Sequence, residues 1–220
     1  MNRPPNFDRL ARLYRWMEIA SFGPWLWRCR CAFLGELGRC RRALVLWDGD
    51  GRFTALLLRA NPDIQVDAVD ASPAMLRALV RRAGPHAARV HAHVADARQW
   101  GPRPPAQAQP YDLIVTHFFL DCLTTGEIAS LAATVGPALT RDALWVVSEF
   151  AVPAGGFGRL IARPVISCLY RAFGWMTGLA VRQLPDHHSA LKQGGFALRR
   201  SKGWLLGLLV SELWSIQRPD

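Results

Sequence analysis

Ala43-Leu-Val-Leu-Trp-Asp-Gly-Asp-Gly-Arg-Phe53, followed by Val66-Asp-Ala-Val-Asp-Ala-Ser-Pro73, decides the fold. The first stretch reads as a short buried strand that runs into a tight glycine turn and then a helix. The second is another apolar strand, ending in a carboxylate, Asp70, nineteen residues beyond Gly51. A glycine turn lets backbone approach a ligand closely. An acid at the end of the next strand is suited to two ribose hydroxyls. Together they read as the cradle of a nucleoside-bearing ligand.

The charges narrow the choice of ligand. A dinucleotide turn calls for Gly-x-Gly-x-x-Gly or Ala, whereas Gly49-Asp-Gly-Arg-Phe-Thr54 ends on threonine and has acids at Asp48 and Asp50. Carboxylates repel a pyrophosphate but not a cationic ligand. S-adenosylmethionine carries a sulfonium and an ammonium, so the pattern favours it over NAD. The bland alternative for Asp70 is a turn or helix-capping acid.

Three more strands follow. Arg89–Arg98 runs to Asp96, which is placed to accept from an adenine amino group. Tyr111–Phe119 leaves onto Thr116, His117 and Phe118, and Ala143–Phe150 is the fifth strand. Gly194-Gly-Phe196 and Trp204–Ile216, with Ser211-Glu-Leu-Trp214, close the chain as a hairpin. In this order the segments resemble the class I (Rossmann-like) S-adenosylmethionine-dependent methyltransferases over roughly residues 40–150. The nearest likeness is to small-molecule enzymes of the ubiquinone and menaquinone C-methyltransferase type.

The resemblance implies an α/β fold: a doubly wound, mostly parallel seven-stranded sheet with an antiparallel last strand. N-terminal helices and a helical insertion after strand five complete it. It also implies S-adenosyl-L-methionine at the carboxyl ends of the first strands. The expected contacts are Asp48, Gly49, Asp50 and Gly51, then Asp70, Ala71 and Ser72, then Asp96 and Ala97, and finally Thr116, His117 and Phe118. The expected reaction is methyl transfer to a small hydrophobic acceptor, quinone-like, phenolic or lipid-like.

One departure matters. The family usually has an acid and then x-Gly-x-Gly-x-Gly at the end of its first strand. Here Val45 stands for the acid and Trp47 for the first glycine. The indole either crowds the methionine end of the cofactor or points into a neighbouring layer, and Asp48 or Asp50 is left to meet the ammonium. If Trp47 closes that end, the chain is a non-catalytic relative acting as a binding partner.

At 220 residues and half apolar, one domain with a sizeable core is expected. Its parts are an N-terminal helical cover (1–40), a cofactor-binding core (41–152), a helical roof over the substrate (153–193) and the terminal hairpin (194–220). Helices are expected over Phe7–Ala20, Trp25–Leu37, Phe53–Asn61, Pro73–Arg82 and Thr124–Leu139. In 153–183 arginines punctuate an apolar, aromatic segment. No apolar run there reaches the ~20 residues that span a bilayer, so it reads as a pocket roof, with membrane-interface contact as an addition.

The net charge is +10, and 25 of the 27 basic residues are arginine because lysine occurs only at 192 and 202. These arginines are spread among Leu and Trp rather than gathered in one tract. That argues against nucleic acid, and so against RNA methylation, but admits peripheral contact with an anionic membrane. Five scattered cysteines show no zinc spacing with histidine, so no metal is expected. They suit a reducing cytoplasm, and the start of the chain does not read as a secretory signal. The expected location is cytoplasmic, with peripheral contact at the inner membrane face.

Methyl transfer from a sulfonium is an in-line displacement, to which positioning alone contributes roughly 7–11 kcal/mol. A base is required only where the acceptor loses a proton. The candidates are His117, Asp121, and the pair His187 and His188, with Tyr14 on the first helix as a pocket residue. His91 and His93 alternate with apolar residues on a strand and read as structural.

Overall fold

Five runs of apolar residues, buried from both sides, form the centre of a seven-stranded sheet. Its strands are β1 (Arg42–Leu46), β2 (Gln65–Asp70), β3 (Val90–Val94), β4 (Tyr111–His117), β5 (Leu139–Phe150), β6 (Phe196–Trp204) and β7 (Leu209–Ile216). The computed structural model describes residues 23–98, 100–101, 109–152 and 184–217. Tyr14, the helix expected over 7–20 and the segment 153–183 lie outside the described residues.

The strand order is β3-β2-β1-β4-β5-β7-β6. Neighbours from β3 to β5 are parallel, and β7 runs antiparallel to both β5 and β6. The expected doubly wound sheet with an antiparallel last strand is therefore present. Because the winding reverses between β1 and β4, a crevice opens at their carboxyl ends, where such sheets receive ligands.

Helices cover both faces. On one, Ala43, Val45, Leu113 and Val115 meet Phe53, Leu57 and Leu58 of α2 (Arg52–Ala60) and Leu76 and Leu79 of α3 (Pro73–Ala83). On the other, Leu44, Ile114, Trp145 and Trp214 meet Ile128, Leu131 and Val135 of α4 (Thr125–Val135) and Leu191 of α5 (His187–Gln193). The last seven residues of the expected roof are thus a helix that covers the sheet.

Local chemistry sets the helix ends. Ser72 accepts from the Met75 amide with Pro73 in the first turn, and Thr124 with Glu127 forms a capping box. The α2 helix stops at Asn61, whose side-chain amide donates to the Leu37 and Cys40 carbonyls. The Arg89 guanidinium donates to the Leu58 and Asn61 carbonyls at the same end.

Two expected helices are shorter. The one expected to Leu37 is α1 (Pro24–Arg30), followed by a single 3-10 turn at Leu34–Glu36. Gly35 and Gly38 weaken the helix there, and Phe33 and Leu37 turn into the core beside α2. The α4 helix ends at Val135 rather than Leu139, because Pro137 in the next turn cannot continue it and Leu139 already pairs with Tyr111 in the sheet.

Candidate cofactor and acceptor site

The strands on either side of the crevice leave the sheet through left-handed backbone. After β1, Trp47, Gly49 and Gly51 have φ of 59°, 57° and 77°, so the three positions aligned with the family's glycines all adopt the conformation that glycine favours. After β4, Phe118 has φ of 54°. Left-handed Trp and Phe are uncommon, and such strained backbone concentrates at ligand-binding sites.

The glycines serve different ends. No atom lies within 4 Å of the place where a Cβ on Gly49 would sit, so that turn is open to a ligand. At Gly51 a Cβ would stand 2.6 Å from the Leu79 Cα, because the turn is pressed against α3. Gly51→Ala is expected to destabilise the fold by about 2–4 kcal/mol through overpacking and the unfavourable φ. Chemical denaturation of the variant checks this.

The acids of the crevice divide into those already engaged and those that are not. Asp50 pairs with Arg82 at 2.8 Å and Arg52 at 3.5 Å. Asp48 is buried, and its Oδ2 accepts from the Thr54 amide and hydroxyl, each at 2.8 Å, which ties down the first turn of α2. Its Oδ1 is buried and accepts no hydrogen bond. Of the two acids considered for the ammonium, Asp48 is the one with a buried oxygen to offer.

Asp70 is engaged on one side only. Its Oδ1 accepts from the Ser72 amide at 2.8 Å, as a turn acid does, while its buried Oδ2 accepts nothing. Burial pushes its pKa up to about 7, against the Ser72 hydrogen bond, with the Asp48 charge adding to the rise. A buried carboxylate oxygen without a donor is costly, and two ligand hydroxyls would supply what it lacks. These oxygens and the open Gly49 turn fit an adenosyl cofactor with an ammonium.

The remaining expected contacts are less open. Asp96 is half-buried and held by its neighbour Arg98, with an Nη2–Oδ2 distance of 2.7 Å. That hydrogen bond keeps its pKa below the usual range, and an adenine amino group would share it with the guanidinium. Ala97 and Thr116 are buried, and the Thr116 hydroxyl accepts from the Trp145 indole at 2.9 Å. Ala71 is exposed beside the Ser72 cap.

Trp47 points into a neighbouring layer. Its ring meets Phe119 edge-on at 5.0 Å and lies against the core on the α4 side. Trp47→Gly is expected to lose about 1–3 kcal/mol of stability, because lost packing outweighs relief of the left-handed strain. S-adenosylmethionine affinity should stay within about threefold, since the ring's packing is on the core side. A tenfold gain in titrations would place the indole in the methionine end instead.

The candidate bases separate onto opposite faces of the sheet. On the α2 face, His117 is buried, meets Phe53 edge-on at 4.5 Å, and shares a hydrogen bond of 2.9 Å between its Nδ1 and the Ser148 hydroxyl. Ser148 continues to Ser211 at 3.1 Å and to the Cys29 carbonyl at 3.4 Å. Burial holds the His117 imidazole well below its usual pKa, and the Arg30 charge adds to this, so the ring is neutral.

On the α4 and α5 face the structure gathers the other candidates. Glu149 accepts from the Phe119, Leu120 and Asp121 amides and so fixes the turn after β4. Burial raises its pKa, with the Asp121 charge adding to the effect. Asp121 is raised too, chiefly by burial, while the nearby His187 draws it down. His187 and His188 open α5 and converge on Glu212 of β7, at 3.1 Å and 2.6 Å, and the Trp214 indole donates to the same carboxylate at 2.9 Å.

Glu149 and Glu212 were not among the expected site residues. Their signal is the dipeptide Ser-Glu inside two apolar strands, Val147-Ser-Glu-Phe150 and Val210-Ser-Glu-Leu213. Ser148 and Ser211 are paired across β5 and β7. Strand alternation then sends both serines to the His117 face and both glutamates to the His187 face.

Glu212 has its pKa lowered to about 2 because the His187 and His188 hydrogen bonds overcome the cost of burial, whereas the Glu212 hydrogen bond raises that of His188. The Glu212 contribution is present above its unfolded value of 4.5 and is lost as pH falls toward 2. The His188 contribution is present below 6.5 and is lost as pH rises through its higher folded value. Thermal melts should therefore show this cluster stabilising most between pH 4.5 and 6.5. Glu212→Gln should flatten both limbs. The three ligand atoms of His187, His188 and Glu212 lie within 4.8 Å of one another, but each facing atom is already engaged in a hydrogen bond.

The family model of a methyltransferase domain matches residues 49–144. No curated protein matches the chain. Among solved structures, mitomycin 7-O-methyltransferase is similar at a TM-score of 0.67 and 13% identity, over 95% of this chain and 58% of that one. An O-methyltransferase family protein from Burkholderia thailandensis gives 0.68 and 14%, over 97% and 59%. The S-adenosylmethionine-dependent methyltransferase SibL gives 0.62 and 20%, over 99% and 64%. The chain spans about three fifths of the length of these structures. No helix among the described residues is long and apolar enough to cross a membrane. With a methyltransferase-domain model matched from the Gly49 turn into β5 and these structures sharing its architecture, the chain has the Rossmann-like methyltransferase fold.

Proposed function

We propose that this chain transfers a methyl group from S-adenosylmethionine to the hydroxyl of a small, apolar, phenol-like acceptor. The observation that carries the reading is the buried Asp70 Oδ2 without a donor, beside the open turn at Gly49 and at the point where the sheet reverses its winding. When bound, S-adenosylmethionine supplies an electrophilic methyl carbon whose bond to sulfur breaks as the bond to the acceptor oxygen forms. Asp70 would hold the ribose and Asp48 the ammonium end.

The acceptor's proton needs a destination. A carboxylate only accepts hydrogen bonds, so the His187 and His188 Nε2 atoms facing Glu212 carry hydrogens. In a neutral ring that leaves Nδ1 as the basic nitrogen. His187 is the more enclosed of the two, with its side chain 12% exposed, and it lies near Asp121 after β4. His187 Nδ1 would take the hydroxyl proton, and Glu212 would stabilise the resulting imidazolium. Glu212 is thus a positioning residue and His187 the catalytic one.

The O-methyltransferase names of the similar structures support an oxygen acceptor over the quinone C-methyltransferase type. The test is methyl transfer from labelled S-adenosylmethionine to a panel of phenols and hydroquinones, with the product's methylated atom assigned by NMR. O-methyl product from the wild type supports the reading. Product methylated only at carbon overturns the oxygen acceptor, and no product with any of the panel removes the phenol-like class.

A further inference from the structure

The hairpin between β6 and β7 breaks a local rule in a place where nothing compels it. Leu205, Leu206 and Gly207 take φ of 50°, 58° and 91° in succession, and only the third is glycine. Asparagine and glycine are the residues that accept such backbone at a hairpin tip, and leucine resists it. The two leucines do not repay the strain by burial, since Leu205 is 38% and Leu206 72% exposed.

The tip has a neighbour of similar character. Leu26 and Cys29 of α1 share a small core with Leu208 and Leu209 at the base of the tip, and Trp25 and Trp204 flank it. The Cys29 thiol donates to the Val210 carbonyl. Seated this way, α1 holds Trp27 outward at 37% exposure. Indole rings and leucines presented together suit the boundary between water and acyl chains.

The charge around them is mostly positive, with Arg200 paired to Glu36 at 2.6 Å. Residues 23–33 contain Arg28 and Arg30 and residues 196–210 contain Arg199, Arg200 and Lys202; Arg30 turns inward over the Phe118 ring, whereas Arg28 and Lys202 are exposed. Arg28 lies over the Trp25 ring at 4.8 Å, and Lys202 is exposed beside Phe33. The whole chain carries +10. An apolar tip collared by arginine and lysine is complementary to a bilayer whose surface is anionic.

We propose that the β6–β7 tip and α1 form a docking surface for an anionic lipid bilayer, with Leu205, Leu206 and Trp27 entering the interface and Arg28 and Lys202 meeting the headgroups. The tip lies at the carboxyl end of β5, where Leu209 pairs with Phe150, on the same edge of the sheet as the crevice. Docking there would present the crevice to apolar molecules dissolved in the membrane. The inference stands on this face alone and not on the cofactor or the reaction.

The test is co-sedimentation of the full chain with vesicles of equal parts phosphatidylglycerol and phosphatidylcholine, against vesicles of phosphatidylcholine alone. Binding to the anionic vesicles, weakened by salt, is expected. The double variant Leu205→Asn with Leu206→Gly should bind about tenfold more weakly or worse, yet melt at the same temperature as the wild type or higher, because its tip is relaxed. Arg28→Glu should weaken binding with the fold intact. Equal binding by the double variant, no preference for the anionic vesicles, or concentration-dependent self-association lost in the double variant would overturn the proposal.

Discussion

His187→Ala is expected to lower the rate of methyl transfer by about 10²–10⁴-fold, the range that a positioned general base contributes. Affinity for S-adenosylmethionine should change little, because His187 faces Glu212 on the α5 side while the acids of the crevice lie at the ends of β1 and β2. Glu212→Gln should show a smaller loss. The amide holds the ring less well and cannot neutralise an imidazolium, but the Nδ1 lone pair remains. Single-turnover rates separate these effects from substrate binding. The corresponding change at His117 should act on stability, since that ring is buried between Phe53 and Ser148 on the opposite face. If His117→Ala abolished turnover in a folded protein and His187→Ala did not, the roles assigned to the two faces would be reversed.

Asp70→Ala is expected to weaken S-adenosylmethionine binding by about 10²–10³-fold, the worth of two hydrogen bonds to a charged acceptor. The protein itself should tolerate the change. Asp70 has a pKa of about 7, raised by burial, so its charge opposes folding as pH climbs from the unfolded value toward 7, and removing the carboxyl removes that cost along with one turn hydrogen bond. The same pKa gives the binding a pH dependence. Ribose hydroxyls donate best to the ionised form, so affinity should fall as pH drops below 7. Ligand-induced shifts in melting temperature, compared for the wild type and Asp70→Ala on either side of pH 7, read both effects.

The core of this fold was legible because its signals are local. The apolar runs 43–46, 66–69 and 113–115 and the helix starts at Pro73 and Thr124 are each set within a few residues of themselves, and each lies where the sequence places it. The ends of α1 and α4 were less legible. Tertiary demands decide them: Phe33 and Leu37 are drawn into the core, and Leu139 is taken by the sheet.

The site divides in the same way. Asp70 could be read from its distance to the glycine turn. What spacing could not show is that Arg82 and Arg52 occupy Asp50, that Thr54 takes one oxygen of Asp48, or that Arg98 holds Asp96. The two glutamates were in view as charged residues within apolar strands, yet only the pairing of β5 with β7 shows that both turn toward the α4 and α5 layer. Nor could sequence separate His117 from His187. Strand parity and the docking of α5 put them on opposite sides of the sheet.

The measurement that bears most directly on the central claim is calorimetric titration of the wild type and Asp70→Ala with S-adenosylmethionine and S-adenosylhomocysteine. Micromolar binding of both ligands to the wild type, lost in Asp70→Ala, is the predicted result. No binding to a folded wild type, or equal binding to the two proteins, would contradict the claim that this crevice holds the cofactor through Asp70.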